Sequence, residues 1–168
     1  LENFSAVNLP PGPEGFLMYV AGRIRGVLSV RGTRMDEAQI YRLVAQCRAE
    51  TLELLDAWHT GGVADLAWCT KVASVLRLKT RLRHLDMSGV PLARDGATAV
   101  VDAFCANCIM SSLRVRVRCS RAEAADFVAA MDTSFEMMEA RGASPLLCVI
   151  TEYEDFVAQE WTFPVPAV

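Results

Sequence analysis

One short apolar pattern recurs along this chain and restricts its fold more than any other feature. In LRHLDMSGVPLARDGATAVVDAF (82–104), Leu82, Leu85, Met87, Val90 and Leu92 follow the spacing L-x-x-L-x-L-x-x-N-x-L, and Gly96 opens an alanine-rich helix. Downstream, Met110, Leu113 and Val115 fill the first three slots, with RAEAADFVAAMDTSFEMMEARG as the helix. Upstream, Leu52, Leu55 and Ala57 precede VADLAWCTKVASVL, Leu28, Val30 and Met35 precede DEAQIYRLVAQCRAE, and Leu1, Phe4 and Ala6 precede GFLMYVAGRI. The second slot therefore falls at Phe4, Leu28, Leu55, Leu85 and Leu113, with steps of 24, 27, 30 and 28, and PLLCVITEYE supplies a sixth strand centred on Leu147. A strand this short cannot bury its apolar side chains alone, and neither can the helix behind it. Stacking the units buries both, and alanines such as Ala97, Ala103, Ala124 and Ala129 let each helix lie close to its neighbours. Asp36 and Asp95 stand where a carboxylate favours exposed helix N-terminal amides.

At 168 residues the chain suits one domain with a sizeable core, and 52% apolar content leaves much to bury. Charge interrupts every apolar run, as Arg23 and Arg25 do in GFLMYVAGRIRGVLSV. No stretch thus reaches the roughly 18 uncharged residues of a membrane span. A net charge of −3 with basic residues scattered along the sequence argues against nucleic acid as the main partner. The six cysteines lie among alanines and valines, the setting of reduced, buried thiols, which favours an intracellular and most simply cytoplasmic location. The first residue is Leu1 rather than methionine, which fits an excised segment and leaves any targeting peptide out of view.

The unit at 82–104 resembles the repeats of the ribonuclease-inhibitor-like class of leucine-rich repeats, found also in Ran GTPase-activating proteins, tropomodulins and NOD-like receptors. The resemblance implies an α/β solenoid over residues 1–150. Its concave parallel sheet would have five or six short strands with helices on the convex side, and 151–168 would form a capping strand and an aromatic, acidic tail. The chain departs from the class at the asparagine slot, which holds Val90, with Thr33 and Thr60 in neighbouring copies. The rival architecture is a doubly wound sheet with helices on both faces. Short, evenly spaced strands and the lack of a glycine-rich phosphate turn after the first strand speak against it.

The candidate chemical motifs are weaker. Cys105-Ala-Asn-Cys108 has the gap of a zinc half-site, yet no second pair follows, and His59 and His84 belong to other repeats, so no metal or other cofactor is expected. Nothing in the spacing joins a cysteine to either histidine as a nucleophile and base. Glu152, Glu154, Asp155 and Glu160, interleaved with Tyr153, Phe156 and Trp161, read as a polar cap over the last repeat, closed by Pro164 and Pro166. WTFPVP alternatively suits docking to another protein.

The residues between the inward leucines carry the functional expectation, because in such a sheet they line its open face. The slot between the second and third apolar positions reads Ser5, Ser29, Asp56, Asp86 and Arg114. The slot after the third reads Val7, Arg31, Trp58, Ser88 and Arg116, and the slot before the second reads Asn3, Val27, Leu54, His84 and Ser112. Parallel register stacks each row with neighbours about 5 Å apart, placing Asp86 beside Arg114 and Trp58 beside Arg31. The expected contact set is Arg31, Asp56, Trp58, His84, Asp86, Arg114 and Arg116, on a non-catalytic module that holds a protein partner within a larger assembly, with no small-molecule substrate. Two other readings stand beside it. One is a small-GTPase regulator resembling the Ran-activating relatives, and the other is an enzyme with a doubly wound sheet using Cys105 or His84.

Overall fold

The structure is a computed structural model, and it describes residues 2–9, 14–59, 61–139, 145–155 and 157–163. Leu1, Thr60, Phe156, Pro164 and Pro166, singled out above, lie outside the described residues.

Alternating apolar residues make the strands β1 (Asn3–Val7), β2 (Val27–Arg31), β3 (Thr51–Leu55), β4 (His84–Leu92), β5 (Ser112–Arg118), β6 (Leu146–Glu152) and β7 (Ala158–Phe163). Between them run the helices α1 (Glu14–Ala21), α2 (Glu37–Gln46), α3 (Leu66–Arg77), α4 (Arg94–Ala106) and α5 (Arg121–Glu139). All seven strands form one sheet in chain order, parallel from β1 to β6, and β7 closes it antiparallel to β6. The fold is therefore α/β. The sheet order never reverses, so it has no switch point of the doubly wound kind.

Burial shows where the helices lie. In β2, β3, β5 and β6 every second residue is buried and its neighbours are half-buried or exposed. Each helix packs on the next, α1 on α2 through to α4 on α5. A right-handed crossover between adjacent parallel strands puts every helix on the same side, and the other face stays open. Among the described residues no helix is long and apolar enough to cross a membrane.

Local chemistry sets the helix starts. Asp36 caps α2 in a capping box, its carboxylate accepting from the Gln39 amide (2.8 Å) while the Gln39 side chain accepts from the Asp36 amide (2.9 Å). Asp65 caps α3 through the Trp68 amide (2.7 Å). Asp95 instead lies within the first turn of α4, whose cap position is Ala93, so it acts there through charge on the helix dipole.

The turns after the strands share one backbone device. Asn8, Gly32 and Asp56 each follow the last residue of β1, β2 and β3, and all three have positive φ, at 50°, 63° and 51°. That left-handed geometry is least costly for glycine, asparagine and aspartate. In the second of these turns, buried Thr33 in the asparagine slot accepts from the Leu9 amide of the first (3.2 Å), linking two successive turns. β4 behaves differently, because its pairing with β5 shifts between Met87 and Pro91, leaving Ser88, Gly89 and Val90 as a bulge. Gly89 lies against the end of β3, where a Cβ would overlap Leu54 O and Asp56 N.

At the far end, the sheet continues through the proposed boundary at residue 150, since β6 runs to Glu152. β7 contributes Phe163, 1% exposed, which meets Phe135 of α5 (centroids 5.9 Å apart), which in turn stacks on Phe104 of α4 at 6.5 Å. Fully buried Thr151 anchors the hairpin, accepting from Trp161 Nε1 at 3.1 Å.

Candidate functional site

The open face can be read strand by strand from the pairing. Leu28 pairs with Leu52, Leu52 with Leu85, and Leu85 with Leu113. The third repeat is thus displaced by three residues from the register expected of its sequence, with Leu52 rather than Leu55 in the second apolar slot. The reason is local. Leu52 and Leu54, two apart, both bury fully, while Leu55 turns to the open face and the chain leaves the strand at Asp56 with positive φ.

Two members of the expected contact set leave the ladders as a consequence. Asp56 is an exposed turn residue, and Glu53 takes its place beside Ser29 and Asp86. Trp58 lies past β3, bridged to Met35, and Arg31 pairs with Leu55 instead. The Trp58 ring packs edge-on against Trp68 (5.7 Å, 64°), and its Nε1 donates to Gly62 O at 3.0 Å. It is a half-buried packing residue. The bulge likewise removes Ser88 from the row of Arg116, which lies beside Pro91.

The remaining members fall on the open face. The row before the second slot reads Asn3, Val27, Thr51, His84, Ser112 and Leu146, and the next reads Ser5, Ser29, Glu53, Asp86, Arg114 and Cys148. Asp86 stands beside Arg114 as expected. Arg114 turns its guanidinium the other way, to Glu160 of β7 (3.0 Å), and Asp86 accepts from the Ser88 amide (2.8 Å) at the start of the bulge. His84 shares a hydrogen bond with Ser112 Oγ (Nδ1 to Oγ 2.8 Å). Between β3 and β6 these rows enclose a shallow depression of about 250 Å³, its walls formed by Glu53, His84, Asp86, Ser112, Arg114 and Cys148.

Charge on this face is banded. β3 and β4 carry Glu53 and Asp86, β5 carries Arg114, Arg116 and Arg118, and the last two strands carry Glu152 and Glu160. Arg118 reaches Glu152 Oε1 at 3.1 Å, and Arg116 stands 3.7 Å from Glu152 Oε2. Three guanidinium groups therefore share two carboxylates, and the Nε atoms of Arg114 and Arg116 and Oε2 of Glu152 are buried without a hydrogen-bond partner. The half-exposed Arg114–Glu160 pair itself adds little stability.

Burial disfavours the thiolate at five of the six cysteines. Cys148 donates to Glu160 Oε1 (3.1 Å), and burial followed by that hydrogen bond raises its pKa to about 11. Burial and then Asp102 raise Cys105 to about 11, while burial, Asp65 and Glu37 raise Cys69 to about 12. Cys108 is exposed, and among the described residues no cluster of His, Cys, Asp and Glu could hold a metal ion. In the folded protein at neutral pH, alkylation should modify Cys108 first, with buried Cys47, Cys69 and Cys119 protected about a hundredfold or more. Peptide mapping of partial labelling checks this. Rapid reaction at Cys105 or Cys148 instead would favour a catalytic thiol.

In comparisons with protein-family models, curated proteins and solved structures, nothing matches this chain.

Proposed function

We propose that this chain is a degenerate leucine-rich-repeat solenoid that holds a protein partner on the open face of its sheet and performs no catalysis of its own. The observation that carries the reading is the arrangement of the face: sequential parallel strands with one side covered by helices and the other banded acidic, basic and acidic. Such a pattern selects a partner by charge complementarity and fixes its register more than it adds raw affinity. The contact set is Arg31, Glu53, His84, Asp86, Arg114 and Arg116, with Arg114 and Arg116 at its centre, because both side chains stay 42% exposed on the open face beside their carboxylate partners.

Photo-crosslinking in the native cell tests the reading. A photoreactive residue at Glu53 or His84 is expected to capture a defined protein, and Arg116→Glu should reduce that capture about tenfold. The same probe at Lys71, exposed on α3 of the helical side, should not capture it. Equal capture from Lys71, or no change with Arg116→Glu, would move the interface off the sheet.

A further inference from the structure

Basic residues that are scattered in the sequence meet at one rim of the fold. Arg23 and Arg25 lie between α1 and β2, Arg48 between α2 and β3, and Lys79 and Arg81 between α3 and β4. Together they line an open groove of about 1090 Å³ at the helix C-terminal rim, and no aspartate or glutamate is among its described lining residues. Arg48 and Arg81 each stand three residues before strands that pair as Thr51 with His84, so they occupy equivalent positions in adjacent repeats, one strand spacing or about 5 Å apart.

Packing explains only part of this charge. Lys79 donates to Ala45 O and Cys47 O, both at 2.8 Å, and so neutralises carbonyls at the end of α2. Arg23 lies over the Tyr19 ring at 4.1 Å. Arg25, Arg48 and Arg81 are exposed and make no ion pair among the described residues. A chain with net charge −3 has no overall cationic excess to spread here. Two apolar side chains also line the groove: Tyr19, 56% exposed, and Leu78, 81% exposed and directly before Lys79.

We propose that this groove binds an acidic, extended peptide segment of a partner protein, with carboxylates on Arg25, Arg48 and Arg81 and an apolar side chain on Leu78. The arginine fork matches a carboxylate in two parallel hydrogen bonds. Three adjacent repeats span about 10 Å, the reach of three or four extended residues at roughly 3.3 Å each. The apolar edge favours a peptide over a polyphosphate or nucleic acid, whose phosphates have no use for Leu78. The site is independent of the open sheet face on the other side of the strands.

Fluorescence anisotropy of the full chain with a labelled twelve-residue peptide, carrying four consecutive acidic residues next to a leucine, tests the assignment. Binding is expected to weaken about tenfold in Arg48→Gln/Arg81→Gln and severalfold in Leu78→Ser, to fall with added salt, and to persist in Arg116→Glu. Thermal unfolding of each variant verifies folding, and Leu78→Ser, at an exposed position outside the core, keeps the test decisive should the double variant be destabilised. Absence of binding by the native chain, or insensitivity to both the arginine and the leucine variants, overturns the proposal. So does tighter binding of a short single-stranded RNA that ignores Leu78→Ser, which would assign the groove to phosphate.

Discussion

Asn107→Ala is expected to lower the free energy of unfolding by about 3–5 kcal/mol, one of the two largest single-residue effects in this chain. Asn107 is 7% exposed at the end of α4, and its side chain joins two repeats. Its Nδ2 donates to Leu76 O (2.6 Å) and Lys79 O (3.0 Å) at the end of α3, and its Oδ1 accepts from the amides of Ile109 (2.8 Å) and Met110 (3.2 Å) on the way to β5. Alanine removes all four bonds and leaves buried or half-buried backbone groups unsatisfied, each costing about 1–3 kcal/mol when water does not replace the partner. Asn107→Asp keeps the acceptor but sets a charged oxygen against the Leu76 and Lys79 carbonyls in a buried site, so its loss should be at least as large as that of alanine. Denaturant unfolding by circular dichroism measures both. A loss below about 1 kcal/mol for alanine would mean that water enters the turn and takes over the bonds.

Phe163→Ala should cost about 3–5 kcal/mol and make the protein associate. The ring is the innermost part of β7, pairing across from Leu147 and closing the aromatic row with Phe135 and Phe104. Its removal leaves a cavity under α5 and loosens β7. The edge of β6, with half-exposed Leu146, is then free to pair with another chain. Size-exclusion chromatography over a range of concentrations, together with denaturant unfolding, reads both effects. Trp161→Ala, half-buried on the same strand, should cost less, since part of the indole already faces water. Equal losses at the two positions would place the anchor of the cap in the hairpin around Thr151 and not in the aromatic row.

The helices were legible in the sequence because their signals are local, apolar stripes with strand segments before each and an acid such as Asp36 at the start, although Asp95 turned out to lie within the first turn of α4 and the cap of α3, Asp65, was not singled out. The unit at 82–104 was read in register up to Met87, and its inward residues Leu85, Met87 and Leu92 bury as the pattern requires, but the bulge after Met87 takes Ser88 out of its expected row. The third repeat was not read in register. TLELLDA satisfies the repeat equally well with Leu52, Leu55 and Ala57 inward or with Leu52, Leu54 and Ala57 inward, and three-residue spacing alone favours the first. A usable signal was present in Asn8, Gly32 and Asp56, which recur at a step of 24 and are the residue types that tolerate positive φ. Aligning on those turn residues places Leu52 under Leu28 and sends Asp56 and Trp58 out of the ladders. No comparable signal marked Asn107, which reads in the sequence as an ordinary turn residue because its four partners lie on two different repeats.

Short-range chemistry was thus sufficient to establish alternating strands and helices, their one-sided apolar faces and the capped helix starts, since each depends on residues within a turn or two of one another. The contents of the open face, the turning of Arg114 toward Glu160, and the gathering of Arg23, Arg25, Arg48, Lys79 and Arg81 at one rim depend on the pairing of strands some 24 to 34 residues apart. Pairing is settled by which apolar side chains fill the shared core, and a slip that barely changes the local pattern moves every outward residue to a new neighbour.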